Sequence, residues 1–192
     1  MQKSQSDAQV PENALIAEAA KGSKTAFNRV MNQQAPRLQN IALRMMGNSS
    51  DAEDAVQEAL AAAWFKLASF DLSRPISPWL TRITVNKCRD LLRKRRIRQF
   101  FEFHSDNEAG MIVADDAPDP SAELQARQAL EVMQKEITRL PATLREPFVL
   151  VTFGENSQAE AAHILGISEK AVETRIYRAR NHLREIAEKF EG

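Results

Sequence analysis

Residues 157–185 read SQAEAAHILGISEKAVETRIYRARNHLRE, and this stretch decides the fold class. Ser157 followed by Glu160 has the capping-box spacing, in which each side chain satisfies a backbone N–H left free by the first helical turn. Ala161, Ala162 and Leu165 are expected on the buried side of a short helix, Gly166 makes the turn, and Ser168 caps a second helix. In that second helix Val172, Ile176, Ala179, Leu183, Ile186 and Phe190 step by three or four residues, giving one apolar stripe. The opposite face carries Lys170, Thr174, Tyr177, Arg178 and Asn181. A short helix, a glycine turn and a second helix with a polar, basic outer face is the helix-turn-helix arrangement, whose second helix fits the DNA major groove. An ordinary helical hairpin with a solvated face is the weaker reading of the same spacing and charge.

Outward from this stretch the pattern stays helical. A chain of 192 residues fits one medium domain or two small ones, and six glycines with 27% charged residues lean towards helix. Leu15, Ile16, Ala19, Ala20, Phe27, Val30 and Met31 give a rhythm over 12–33, broken by the turn signal KGS at 21–23. A helix from about Ala35 to Met46 follows, stopped by Gly47 and Asn48. Ser50 or Asp51 then caps a long helix in DAEDAVQEALAAAWFKLASF, with Ala52, Val56, Ala59, Ala63 and Leu67 as its core face. The turn DLSRPISP leads to a helix from about Trp79 to Phe101. Further helical patterns occupy 121–139, 142–153, 157–165 and 168–190. The expectation is an all-α protein of two small helical domains: a four-helix domain over 1–101 and a helix-turn-helix bundle over 121–192. A flexible acidic linker over 102–120 would join them.

Charge is sharply divided in a chain of zero formal net charge. Between 85 and 101, in VNKCRDLLRKRRIRQFF, seven basic side chains stand against Asp90 alone. From Gln99 to Ala126 there is no Lys or Arg, and seven carboxylates occur. Arg82, Asn86, Arg89, Arg93 and Arg96 share one helical face, with Val85, Cys88 and Leu92 turned to a core. With Trp79 upstream, that face suits a nucleic-acid backbone and a contacted base; a solvated charged face is the competing reading. The acidic run is expected to compete weakly for the basic helix in the free chain. Asp54, Gln57 and Glu58 form a second exposed patch, read either as a solubilising face or as a docking surface for a basic partner.

Other chemistry has no address here. His104, His163 and His182 are scattered, without carboxylates or cysteines at metal-ligand spacing, so no metal or cofactor is expected. No glycine loop cradles phosphate and no nucleophile sits beside a base, so an enzyme is not expected. The lone Cys88 suits a packing position and a reducing cytoplasm. The longest apolar run, ALAAAWF at 59–65, is too short for membrane insertion.

The segments DAEDAVQEALAAAW, FDLSRPISPWLTRITVNKCRDLLRKRR and LPATLREPFVLVTFGENSQAEAAHILGISEKAVETRIYRARNHL, in this order, resemble the signatures of extracytoplasmic-function sigma factors. These are small two-domain bacterial initiation factors, and the resemblance runs from KGSKTAF at 21–27 to about Leu183. It implies a cytoplasmic alternative sigma factor that binds core RNA polymerase and directs promoter-specific initiation under the control of an anti-sigma factor, which could itself hold it at the membrane. It places Asp54, Gln57 and Glu58 on the polymerase clamp coiled coil. Trp79, Arg82, Asn86, Arg89, Arg93 and Arg96 would bind and melt the minus-ten element, with Asn86 where the family reads a flipped-out base. Lys170, Glu173, Thr174, Tyr177 and Arg178 would read duplex promoter DNA at the minus-thirty-five element. Glu173 departs from relatives that often carry Arg or another donor there; an acceptor suits a cytosine amino group or excludes other bases. A stand-alone helix-turn-helix regulator would explain 157–185 but leave DAEDAVQEA and the basic helix without a task. An adaptor that only captures a regulator would need neither basic face.

Overall fold

The computed structural model describes residues 11–102 and 122–190, and every regular element among them is helical. The expected linker falls almost wholly outside the described residues, apart from Glu102, which ends a helix. Four α-helices build the N-terminal half: α1 (Glu12–Ala20), α2 (Lys24–Met46), α3 (Ser49–Lys66) and α4 (Ile76–Glu102). Four more build the C-terminal half: α5 (Ala122–Arg139), α6 (Ala142–Thr152), α7 (Gln158–Leu165) and α8 (Glu169–Phe190).

Helix α2 corrects the expected break before Ala35. Ser23 caps it, its Oγ accepting from the Ala26 N–H at 3.2 Å, and it then runs through Pro36 without ending. Proline removes the bond to the carbonyl four residues back, which here belongs to the exposed Asn32, while the apolar face on both sides of Pro36 is anchored. Val30, Met31, Leu38, Ile41, Ala42 and Met45 are all buried, so tertiary packing outweighs the local penalty. Gly47 ends the helix in the left-handed region at φ 85°, and a Cβ there would meet Thr138 Cγ2 at 2.8 Å.

The cap of α3 is Asn48, not Ser50 or Asp51. Its Oδ1 accepts from the Asp51 N–H at 2.8 Å. In Asn48-Ser49-Ser50-Asp51 every residue is able to cap, and the left-handed Gly47 hands the chain to the first of them. The expected stripe is buried from Ala52 through Leu67, and Trp64 packs edge-on against Phe27 with ring centres 4.9 Å apart. Helix α4 starts at Ile76, three residues before the expected Trp79. Pro78 falls in its first turn, where the missing N–H would have had no helical partner.

Two small helical domains are present, but they are not held apart. One apolar cluster runs from Leu15 and Ile16 through Ile41 and Val85 into Leu150, Ile176 and Leu183. Helix α2 packs on α5 and α6, and α4 packs on α7. Across this contact Arg37 Nη1 donates to the Gly154 carbonyl at 2.8 Å, and Asn40 Nδ2 to the Phe153 carbonyl at 3.1 Å. The Arg44 guanidinium lies 4.7 Å above the centre of the Phe153 ring.

Candidate nucleic-acid interface

The helix-turn-helix is built as expected. Ser157 and Glu160 form a complete capping box: Glu160 N–H donates to Ser157 Oγ at 3.1 Å, and Ser157 N–H to Glu160 Oε2 at 2.8 Å. The Ser157 N–H and hydroxyl bonds hold the Glu160 carboxyl below its ordinary range. Gly166, at φ 68°, makes the turn, and Ser168 Oγ accepts from the Ala171 N–H at 3.2 Å. Ala161 and Ala162 are buried in α7 together with Ile164, which the sequence reading did not include, and the expected Leu165 is partly buried against the same core. In α8 Val172, Ile176, Ala179 and Leu183 are buried. The side chain of Phe190 lies outside the described residues.

The opposite face of α8 turns to solvent, with Glu173, Tyr177 and Arg178 exposed and Thr174 partly so. Lys170 Nζ lies 2.7 Å from Glu173 Oε2, and the Thr174 hydroxyl donates to the Lys170 carbonyl at 2.9 Å. The carboxylate that departs from the expected donor is therefore held by a neighbouring cation one turn away. Lys170, Glu173, Thr174, Tyr177 and Arg178 lie together on this one surface.

On α4 the expected residues divide. Arg82, Asn86, Arg93 and Arg96 are exposed, whereas Trp79 is half-buried with its ring centre 4.9 Å from that of Phe70. Trp79 and Arg82 line a cleft of about 490 Å³ with Phe70 and Pro75, and its far wall is α7 through Ala159 and His163. Arg89 is not free. Its Nε donates to Glu146 Oε1 at 2.8 Å and its Nη2 to Glu146 Oε2 at 2.6 Å, a two-point grip by a residue of α6. This carboxylate raises Arg89 above its ordinary pKa, against the opposing effect of burial. Arg89 Nη1 also donates to Asn86 Oδ1 at 3.3 Å.

Lys87, Lys94, Arg95 and Arg98 lie around the helix outside the face shared by Arg82, Asn86, Arg89, Arg93 and Arg96. Lys87 pairs with Glu58 at 3.1 Å, Arg95 with Asp51 at 3.3 Å, and Arg93 with Asp90 at 2.9 Å. Lys94, Arg96 and Arg98 are exposed. The carboxylates that meet these cations come from α3, α4 and α6; the expected competition from the acidic run lies outside the described residues. Asp54, Gln57 and Glu58 are exposed along α3, opposite its buried stripe, and Phe65, 83% exposed, continues their line. Cys88 is fully buried, and burial pushes its thiol up to about 12.

Sequence reasoning missed Glu146, Arg37 and Gly154. A faint signal existed in α2, where Arg37, Asn40 and Arg44 repeat at helical spacing on a largely apolar segment. Nothing local marks Glu146 as a partner of Arg89, 57 residues away. Among the described residues no group of three or more His, Cys, Asp or Glu side chains could hold a metal ion, and no helix is long and apolar enough to cross a membrane.

Residues 30–97 match the family Sigma-70 region 2 and residues 130–183 match Sigma-70, region 4. RNA polymerase sigma factor CnrH of Cupriavidus metallidurans is 41% identical over 179 residues, covering 90% of this chain and 94% of that protein. ECF RNA polymerase sigma factor SigW of Bacillus subtilis is 32% identical over 174 residues, covering 88% and 92%. The solved structure of CnrH in complex with the cytosolic domain of CnrY superposes with a TM-score of 0.69 at 31% identity, over 93% of this chain and 97% of that one. The sigma factor RpoE in complex with the anti-sigma factor NepR, from Bartonella quintana, superposes at 0.67 with 26% identity, over 84% and 96%.

Proposed function

The chain belongs to the extracytoplasmic-function sigma factors, and from that premise we propose how its surfaces divide the work of an alternative sigma factor. It binds core RNA polymerase and directs promoter-specific initiation, under the control of an anti-sigma factor. The exposed α3 patch of Asp54, Gln57 and Glu58 docks on the basic clamp coiled coil, where opposite charge favours a fast and oriented encounter. The α4 face receives the minus-ten element: Arg82, Arg89, Arg93 and Arg96 neutralise phosphates, Asn86 hydrogen-bonds an unstacked base, and Trp79 offers a stacking surface. The α8 face, with Lys170, Glu173, Thr174, Tyr177 and Arg178, reads the minus-thirty-five duplex in the major groove. The chain works in the cytoplasm, and any membrane attachment comes through its anti-sigma factor.

The observation that carries this reading is the solvent-facing α8 surface on a complete capping-box, glycine-turn frame, joined in one chain to an exposed basic surface on α4. A stand-alone regulator needs only the first. The test is to combine the purified chain with core RNA polymerase and map transcript 5′ ends on a library of genomic fragments. Defined start sites that share two short upstream elements support the reading. Start sites no different from core polymerase alone would leave the stand-alone regulator as the better account.

A further inference from the structure

Glu146 meets Arg89 as a phosphate would. A phosphodiester presents two non-bridging oxygens to a guanidinium, and the two oxygens of Glu146 take that same fork, at 2.8 and 2.6 Å from Nε and Nη2. Glu146 is 8% exposed, while the Arg89 side chain keeps 40% of its surface open, so the carboxylate approaches from within the fold and covers one side of the cation. Through Arg89 Nη1 the same grip reaches the Asn86 carbonyl oxygen. Helix α7 meanwhile forms one wall of the cleft that Trp79 and Arg82 line.

A separate set of contacts holds the C-terminal half in this position. Arg37 donates to the Gly154 carbonyl and also to Ser77 O and Thr81 Oγ1, at 3.1 and 2.8 Å. Asn40 donates to Phe153 O. The Phe153 and Gly154 carbonyls lie just past the C-terminus of α6, where the helix leaves acceptors unsatisfied and favours positive charge. Gly154 allows the approach: a Cβ at this position would come within 2.9 Å of Ile41 Cδ1. Through Ser77 and Thr81, Arg37 also holds the first turns of α4, but none of these contacts involves Asn86, Arg89 or Glu146, so closure and occupation of Arg89 can be altered by separate mutations.

We infer that Glu146 is an internal competitor of nucleic acid for Arg89, and that Arg37 and Asn40 latch the closed chain in which it competes. The inference rests on the reading of the α4 face given above. The strand and Glu146 cannot share the guanidinium fork, so single-strand binding requires the C-terminal half to move away. Free chain is thereby kept off adventitious nucleic acid by its own fold, and a partner that separates the halves would release Arg89 and Asn86 together.

The test uses the full chain with Glu53→Cys and Arg184→Cys, both at exposed positions, carrying a fluorescent donor and acceptor. The buried Cys88 stays unlabelled. Distance and affinity for a fluorescein-labelled, A/T-rich single-stranded oligonucleotide, the latter on unlabelled protein, are measured for wild type, Glu146→Gln, and Arg37→Ala with Asn40→Ala. Both variants should lengthen the distance. Both should bind the strand about tenfold more tightly at low salt, the gain expected if about one molecule in ten is open in the wild type. The gain should shrink as salt rises. The latch variant matters most, because it changes no carboxylate and neither of its residues would touch the strand. Tighter binding by Glu146→Gln with an unchanged distance, or a longer distance with unchanged affinity, would overturn the inference. The exchange Arg89→Glu with Glu146→Arg should restore the short distance and lose the strand; a failure to close would also count against it. None of these results depends on initiation, so the 5′-end mapping remains an independent test of the sigma-factor reading.

Discussion

The guanidinium of Arg37 donates a 2.8 Å hydrogen bond to the carbonyl of Gly154, which lies 117 residues further along the chain. Burial lowers Arg37 from its ordinary pKa, with Glu155 and Glu160 acting in the opposite direction, and it remains a cation at neutral pH. Replacing it by Ala leaves the Gly154 and Ser77 carbonyls without this donor, and charged hydrogen bonds of this kind are worth about 1.5–3 kcal/mol. Arg37→Ala should lower the melting temperature by several degrees, and Arg37→Lys should recover only part because an ammonium cannot span the same fork. Calorimetry of the two variants checks this; an unchanged transition in Arg37→Ala would mean the contact contributes nothing to closure.

Charge reversal on α3 should separate docking from folding. Asp54 and Glu58 are exposed, and the Glu58–Lys87 pair is a surface ion pair worth at most about 1 kcal/mol. Asp54→Arg with Glu58→Arg should therefore keep the helical circular-dichroism spectrum while weakening core-polymerase binding by about tenfold or more. Equal affinity in a folded double variant would move the docking surface elsewhere.

Arg178 offers a choice between two kinds of DNA contact. If it meets a base edge, Arg178→Ala should lose on the order of 1–3 kcal/mol and relax discrimination at one minus-thirty-five position. If it meets phosphate, affinity should fall about equally on all sequences, and the salt slope should drop by about one. A base-substitution series read at several salt concentrations distinguishes the two, and no change on any sequence would exclude both.

Cys88 predicts an alkaline signature. Its folded thiol titrates at about 12 instead of 9.0, chiefly because burial disfavours the thiolate, with Arg145 opposing. The folded state therefore holds this proton where the unfolded state loses it. The associated stability is present below about pH 9 and is lost as pH rises from there towards 12. Urea midpoints should fall over that window, and Cys88→Ala should flatten the fall. At neutral pH the native thiol should resist iodoacetamide until the chain unfolds.

The helix-turn-helix was legible because its determinants are local. A capping box, a left-handed glycine and a three–four apolar stripe each act within a few residues, so Ser157, Gly166 and Val172 announce their own geometry. The continuity of α2 was hidden for the complementary reason: the pattern reads as separate helical stretches on either side of Ala35, and only the buried residues on both sides of Pro36 show why one helix runs through. The cap at Asn48 was obscured by the run of cap-capable residues that follows. Basic residues on α4 could be placed on the helix but not paired, since the partners of Lys87, Arg95 and Arg89 come from other helices. The closed contact is least legible of all, because Arg37, Asn40, Glu146 and Gly154 converge only after both halves have folded.

The most direct measurement is strand opening at a start site found by 5′-end mapping, read by the permanganate reactivity of minus-ten thymines. Polymerase carrying the wild-type chain should make those thymines reactive, and core polymerase alone should not. Asn86→Ala, which alters the proposed base contact but leaves the α3 and α8 surfaces intact, should still bring polymerase to the duplex while the thymines stay protected. Full reactivity with Asn86→Ala, or opening without this chain, would contradict the assignment of strand opening to the α4 face.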